Sequence, residues 1–182
     1  THKIRNQYSF MGIGQDISRI IFADGVNEMG FAAAMLYFPG YAVYDPIASP
    51  DSRGLSITAL EVVSFLLGMC HFADHAASLL RSVRIVGAED SVTHSIAPLH
   101  WIMADQSGKC LVAEKTADGL HIMENPIGVL ANSPDLPWHL TNLRNYMNVT
   151  PDQPPEREWD SVKLTPFGQG GGTFGLPGDY TS

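Results

Sequence analysis

The chain has 182 residues, of which 45% are hydrophobic and 16% charged, with a formal net charge of −8. This suits one folded domain with an ample core. The absence of any Lys/Arg cluster excludes a general nucleic-acid binder, which needs a basic surface to meet phosphates.

Tyr8 to Gly14 reads as a strand running into a loop, and Asp24-Gly25 as a turn. Phe31 to Phe38 is a continuous run of small and apolar residues, short enough for a buried strand that ends at Pro39-Gly40. Tyr41 to Leu55 is rich in Pro, Ser, Gly and Asp and reads as loop. Thr58 and Glu61 have the spacing of a capping box, in which hydroxyl and carboxylate each satisfy an orphan backbone donor. The helix it opens, to about Cys70, is apolar nearly all round and is expected to be deeply buried. A second helix from about Asp74 carries the stripe Ala76, Leu79, Leu80 and Val83.

Val86 to Pro98 reads as a polar connection. Three short strands follow, at Leu99 to Ala104, Lys109 to Glu114 and Leu120 to Glu124, joined by Asp105-Gln106-Ser107-Gly108 and Ala117-Asp118-Gly119. A fourth strand is expected over Gly128 to Ala131. Asp135 then caps a helix with Leu136, Leu140, Leu143 and Met147 on one face. Thr150 to Glu158 reads as a surface loop, and the tail from Phe167 is Gly-rich. No run approaches transmembrane length. Antiparallel strands with helices before and after them indicate an α+β layered domain.

Several groups invite a functional reading. Cys70 and Cys110 are too few for a disulfide framework and read as small buried hydrophobes. Thr1 has the position of an N-terminal nucleophile activated by its own amine, but it opens a polar, basic stretch and reads better as the start of a fragment. His71 and His75, four apart, would share a helix face, yet a zinc site needs a third ligand and none nominates itself. Gly170 to Gly175 looks like a phosphate loop, but Pro177-Gly178 forbids the helix that such a loop requires. Asn148-Val149-Thr150, a glycosylation triplet, carries no weight. Asn132 is a stronger candidate. It lies where a strand turns through a loop into a helix, and its amide can donate to an oxyanion; turn chemistry alone explains Asn132-Ser133-Pro134 equally well.

Five stretches, in order, resemble the choloylglycine hydrolase family. They are Phe22-Ala23-Asp24-Gly25-Val26-Asn27-Glu28-Met29-Gly30, Leu36-Tyr37-Phe38-Pro39-Gly40-Tyr41-Ala42, Leu99-His100-Trp101-Ile102, Asp105-Gln106-Ser107-Gly108, and Asn132-Ser133-Pro134 with Trp138-His139-Leu140-Thr141-Asn142-Leu143. Gly168-Gln169-Gly170 and Gly175-Leu176-Pro177-Gly178-Asp179-Tyr180-Thr181 add to the match. The family holds bile salt hydrolases and penicillin V acylases. The resemblance implies an N-terminal-nucleophile hydrolase αββα sandwich, with residues 1–182 as the central part of a single domain truncated at both ends. It implies an amidase with a small-molecule amide substrate, no cofactor or metal, no nucleic-acid or membrane partner, and assembly as a homotetramer. A bacterial cytoplasm and a periplasm are both compatible with it.

In that family an N-terminal cysteine attacks the amide carbonyl, its own α-amine serving as base. The resemblance gives Asn132 and the Tyr37 backbone N–H the role of holding the oxyanion. Both are expected to converge on one empty point about 3 Å from each. Tyrosine at 37 is similar to the penicillin V acylases, whereas bile salt hydrolases usually carry Asn. Gly14 to Ile21 and Val86 to Ser95 match the stretches flanking the acyl pocket. The family's nucleophilic Cys would precede Thr1 and a further catalytic Arg would follow Thr181, so these 182 residues alone are expected to be inactive and poorly stable. The leading reading is a penicillin V acylase-like amidase. Its alternatives are a bile salt or acyl-homoserine lactone hydrolase, a non-catalytic scaffold or binding protein, and a hydrolase using Thr1.

Overall fold

In chain order, β1 (Phe10–Met11), β2 (Gly14–Asp16), β3 (Ile20–Phe22), β4 (Asp24–Asn27) and β5 (Ala32–Tyr37) precede β6 (Ser56–Thr58). A 3-10 turn (Ala59–Glu61), helix α1 (Val62–Met69), helix α2 (Ala73–Ser82) and β7 (Arg84–Val86) follow. Then come β8 (Leu99–Ala104), β9 (Cys110–Thr116) and β10 (Gly119–Glu124). Helix α3 (Leu136–Asn142), a second 3-10 turn (Leu143–Tyr146), β11 (Arg157–Trp159) and β12 (Val162–Leu164) complete the order. This computed structural model describes residues 5–16, 20–47, 54–89, 94–150, 152 and 155–165. The chain forms two compact units, Thr1–Leu136 and Pro137–Ser182.

The first unit is built on a six-stranded sheet in the order β1-β4-β5-β8-β9-β10, antiparallel throughout. Because strand side chains alternate between faces, Ala33, Trp101, Met103, Leu111 and Ala113 share one core with Phe65, Leu66 and Leu67 of α1 and Leu80 of α2. Burying each of those leucines or Phe65 is worth roughly 1.5–3 kcal/mol. The alternate residues Ala32, Ala34, Ile102 and Ala104 lie on the other face. With Met11, Ile13 and Val26 they line an open, mainly apolar hollow of about 600 Å³.

Local chemistry fixes the helices against this sheet. The capping box forms: Glu61 Oε2 accepts from the Thr58 N–H at 2.8 Å, and the reciprocal bond is present. Asn27, 5% exposed, clamps β4 to α1. Its Nδ2 donates to the carbonyls of Leu67 (2.9 Å) and Cys70 (2.6 Å), while its Oδ1 accepts from the N–H groups of Met29 and Phe31. These contacts satisfy two carbonyls at the end of α1 that have no helical partner.

The three central strands and both early helices lie where their patterns place them. Elsewhere the structure departs from expectation. Asp24-Gly25 is no turn but the start of β4. A Cβ at Gly25 would sit 2.6 Å from the Met11 carbonyl oxygen and 2.7 Å from Leu67 Cδ1, so this glycine serves a close approach. The reversal comes at Glu28 to Gly30, where Gly30 has φ +75°. The fourth strand over Gly128 to Ala131 is absent. Asn125 turns the chain there instead, donating to the Val129 carbonyl and accepting from the Ile127 N–H, with Gly128 at φ +67°.

The connection read over Val86 to Pro98 begins inside β7, which pairs in parallel with β6. Three-residue strands show too little alternation to be read. In the second unit, the loop read over Thr150 to Glu158 ends in a hairpin of β11 and β12. The helix there stops at Asn142 and passes into a 3-10 turn, so the single stripe to Met147 does not form. Of the two sheets of an αββα sandwich, the described residues show one, covered by α1 and α2 on one face. The fold class is α+β.

Candidate functional site

Strand β5 runs out at Tyr37, which is 61% exposed, while the next residue, Phe38, is fully buried. The loop Asn132-Ser133-Pro134 lies directly against this strand end. The Tyr37 N–H donates to Asn132 Oδ1 at 3.1 Å, and the Ser133 N–H donates to the Tyr37 carbonyl at 3.1 Å. Ser133 Oγ donates to the Pro39 carbonyl at 2.9 Å, and the Ser133–Pro134 peptide bond is cis. Residues 95 apart in sequence are thus bracketed into one polar corner. The expected empty point between Asn132 and Tyr37 is not present. A backbone N–H at a strand end needs an acceptor, and Asn132 supplies its own amide oxygen.

This corner sits on the rim of a cavity of about 520 Å³. Met35, Leu36, Leu60 and Leu99 make its apolar wall, and Gln15 and Ser95 add polar groups. Gln15 and Ile21 come from the Gly14 to Ile21 stretch and Ser95 from the Val86 to Ser95 stretch, the two segments matched to pocket-flanking loops. The wall near Leu99 is held by Tyr44, whose hydroxyl accepts from the Leu99 N–H at 2.6 Å and donates towards the Ala97 carbonyl at 3.0 Å. Burial pushes the Tyr44 phenol up to about 12, so it stays a neutral donor.

Beneath the corner lies a buried polar pair that the sequence reading passed over. His100 and Glu114 are 0% and 2% exposed, and His100 Nδ1 is 3.2 Å from Glu114 Oε1. The same carboxylate oxygen accepts the Leu136 N–H, at the start of α3, at 3.0 Å. A signal was available: Glu114 directly follows the apolar run Cys110 to Ala113, and the hairpin register places it beside His100.

The remaining candidates do not join this site. Cys70 is fully buried, and burial pushes its thiol up to about 12. Burial also raises Cys110. Low-pKa thiolates are the reactive ones, so neither suits a nucleophile. His71 precedes α2 and does not share a helix face with His75. Their rings lie 5.7 Å apart, and His71 Nδ1 meets the Tyr8 hydroxyl at 3.2 Å. Among the described residues no three His, Cys, Asp or Glu side chains group as metal ligands. Thr1 and the segment from Gly168 to Thr181 lie outside the described residues. Among those described, no helix is long and apolar enough to cross a membrane.

The polar corner and the apolar cavity beside it lie on an α+β sheet backed by helices. The family model for linear amide C–N hydrolases, choloylglycine hydrolase family, matches residues 1–182, and the chain belongs to that family. Its fold is that of the N-terminal-nucleophile hydrolases. The chain is 36% identical over 183 residues to a bile salt hydrolase/transferase of Clostridium perfringens, covering 98% of this chain and 54% of that protein. A conjugated bile acid hydrolase of Lactobacillus acidophilus is 32% identical over 158 residues, covering 87% and 49%.

Among solved structures, a variant of the Clostridium perfringens conjugated bile acid hydrolase superposes with a TM-score of 0.82 at 33% identity, over 97% of this chain and 53% of that one. Penicillin V acylase from Agrobacterium tumefaciens gives a TM-score of 0.57 at 17% identity, over 79% and 42%, a likeness of fold. The chain spans about half the length of the curated relatives it matches.

Proposed function

We propose that the whole protein hydrolyses the amide of a conjugate with a bulky apolar acyl group, conjugated bile salts first among them, through a cysteine acyl-enzyme. In this reading the present chain supplies the oxyanion donors and the acyl pocket. One observation carries it: the Tyr37 N–H and the Asn132 side chain meet at the rim of an apolar cavity of about 520 Å³. Largely apolar walls with a few convergent polar groups suit such a ligand. The names of the bile salt hydrolase relatives support the acyl class.

The chemistry follows from the family mechanism. A cysteine thiolate, contributed from outside the described residues, attacks the amide carbonyl carbon, and the π electrons move to oxygen. Its own α-amine takes the thiol proton and returns it to the leaving nitrogen; a pKa of about 7.7–8.0 suits both steps. The amine departs, and water then releases the acid from the thioester. The oxyanion replaces Asn132 Oδ1 as acceptor of the Tyr37 N–H. Rotation of the Asn132 amide about its terminal torsion turns Nδ2 towards the same oxygen. Both donors therefore act most strongly on the transition state.

A second reading, penicillin V acylase activity, is favoured by Tyr37, which the resemblance places where bile salt hydrolases carry Asn. Assays of the full-length protein on glycine- and taurine-conjugated bile salts, penicillin V and acyl-homoserine lactones separate the two. The highest kcat/KM is expected on conjugated bile salts. A clear preference for penicillin V would establish the second reading, and a folded protein inert on all three would favour a scaffold. Tyr37→Asn keeps its backbone N–H, so turnover should persist while preference among these substrates shifts. Homo-oligomerisation belongs to the same proposal, checked by light scattering on the full-length protein.

A further inference from the structure

His100 and Glu114 form a buried polar pair where an apolar pair would fill the core. Replacing buried ionisable partners with apolar residues of similar volume is often neutral or stabilising. His100 Nε2 is also buried without a hydrogen-bond partner among the described residues, a cost that a purely structural core avoids. The contacts of the pair account for its place. The His100 ring lies flat on Phe38, with centroids 4.3 Å apart and planes at 8°. Phe38 directly follows Tyr37 and donates its N–H to the Pro98 carbonyl at 2.8 Å. On the other side, Glu114 Oε1 accepts from Leu136, four residues after Asn132. With its proton on Nδ1, His100 donates to that same oxygen. One buried post therefore touches both segments that carry the polar corner.

We propose that the His100–Glu114 pair is a positioning dyad, fixing the Tyr37 backbone and the Asn132 loop relative to each other. This rests on the oxyanion reading for its catalytic consequence. Its structural consequence stands apart from that reading. Losing the Leu136 N–H acceptor frees the C-terminal anchor of the Asn132 loop, while Ser133 still holds its other end. A small displacement follows at Asn132. A misplacement of about 1 Å at a reacting centre costs up to about 10²-fold in rate.

The test uses the full-length protein with Glu114→Gln, Glu114→Leu and, as control, Leu80→Ala in the fully buried core of α2. Each is followed by thermal melting, by kcat and KM on a conjugated bile salt, and by the side-chain amide signals of Asn132 in ¹⁵N-Asn-labelled protein. Glu114→Leu should lower kcat by roughly 10–100-fold with KM within about twofold, and should move the Asn132 signals. Glu114→Gln keeps an acceptor for Leu136 and should fall between Glu114→Leu and the parent. Leu80→Ala should lower the melting temperature yet leave kcat and the Asn132 signals unchanged. Unmoved Asn132 signals in both Glu114 variants overturn the proposal, as does a kcat loss that follows the melting temperature alike in Glu114→Leu and Leu80→Ala. The amide signals need no turnover. A protein inert on every amide would sink the hydrolase reading while leaving the dyad's positioning role measurable; if Glu114→Leu does not fold, Glu114→Gln decides by the same signals.

Discussion

Cys70 sits in the hydrophobic core and Cys110 is buried beside the open hollow, and burial disfavours the charged form of both. The Cys70 thiol is pushed from 9.0 to about 12, so it stays protonated in the folded chain at pH values where an unfolded chain would ionise it. Its contribution to stability is therefore complete below about pH 9 and is lost progressively as the pH rises towards about 12. Tyr44 acts in the same direction between its ordinary 10.0 and about 12. The melting temperature of the protein should fall between pH 8 and pH 11, and Cys70→Ala should flatten that slope. An identical slope in Cys70→Ala would show that the thiol takes no part. The same burial makes both thiols slow to alkylate at pH 8 in the native state.

At the scale of elements, Asn27 is the joint between β4 and α1. Removing its side chain leaves the Leu67 and Cys70 carbonyls without their donor in a buried setting. Asn27→Ala should destabilise the fold by about 2–3 kcal/mol, measured by chemical denaturation; a loss under about 0.5 kcal/mol would mean that water or relaxation replaces the joint. Turn residues between apolar runs made the β8–β10 meander legible in the sequence, the Thr58–Glu61 capping box made α1 so, and its apolar stripe α2. The polar links between elements were not. Asn27 reads as part of a loop motif, and Gly25 as turn chemistry, until the approach of Met11 and Leu67 is seen. Asn132 and Tyr37 entered as a pair only through family resemblance, because nothing local relates positions 95 apart. Glu114 announced itself only as a charge at the end of an apolar run, and its partners lie on β8 and at the start of α3.

At the scale of the whole molecule, and among the described residues, α1 and α2 cover one face of the six-stranded sheet, while the other is open beside β1, β4 and β5. Met11 and Ile13 are each 73% exposed beside Ala32, Ala34 and Ile102. Contiguous exposed apolar surface of this kind favours association, and β1, an edge strand of the sheet among the described residues, adds to it. A polypeptide of these 182 residues alone should therefore self-associate at micromolar concentration in sedimentation velocity. Introducing charge with Ile13→Lys and Ile102→Glu should reduce that association. A monomeric parent polypeptide with a sharp melting transition would contradict this account of the open face.

Under the proposed function, the corner of Tyr37 and Asn132 stabilises an oxyanion. The most direct measurement is steady-state kinetics of full-length Asn132→Ala on a conjugated bile salt. A fall in kcat of about 10²–10³, roughly 2.7–4 kcal/mol, is expected, as for loss of one oxyanion donor, with KM changed far less. A kcat within about twofold of the parent, in a variant that folds normally, would contradict it and leave Asn132 as turn chemistry alone.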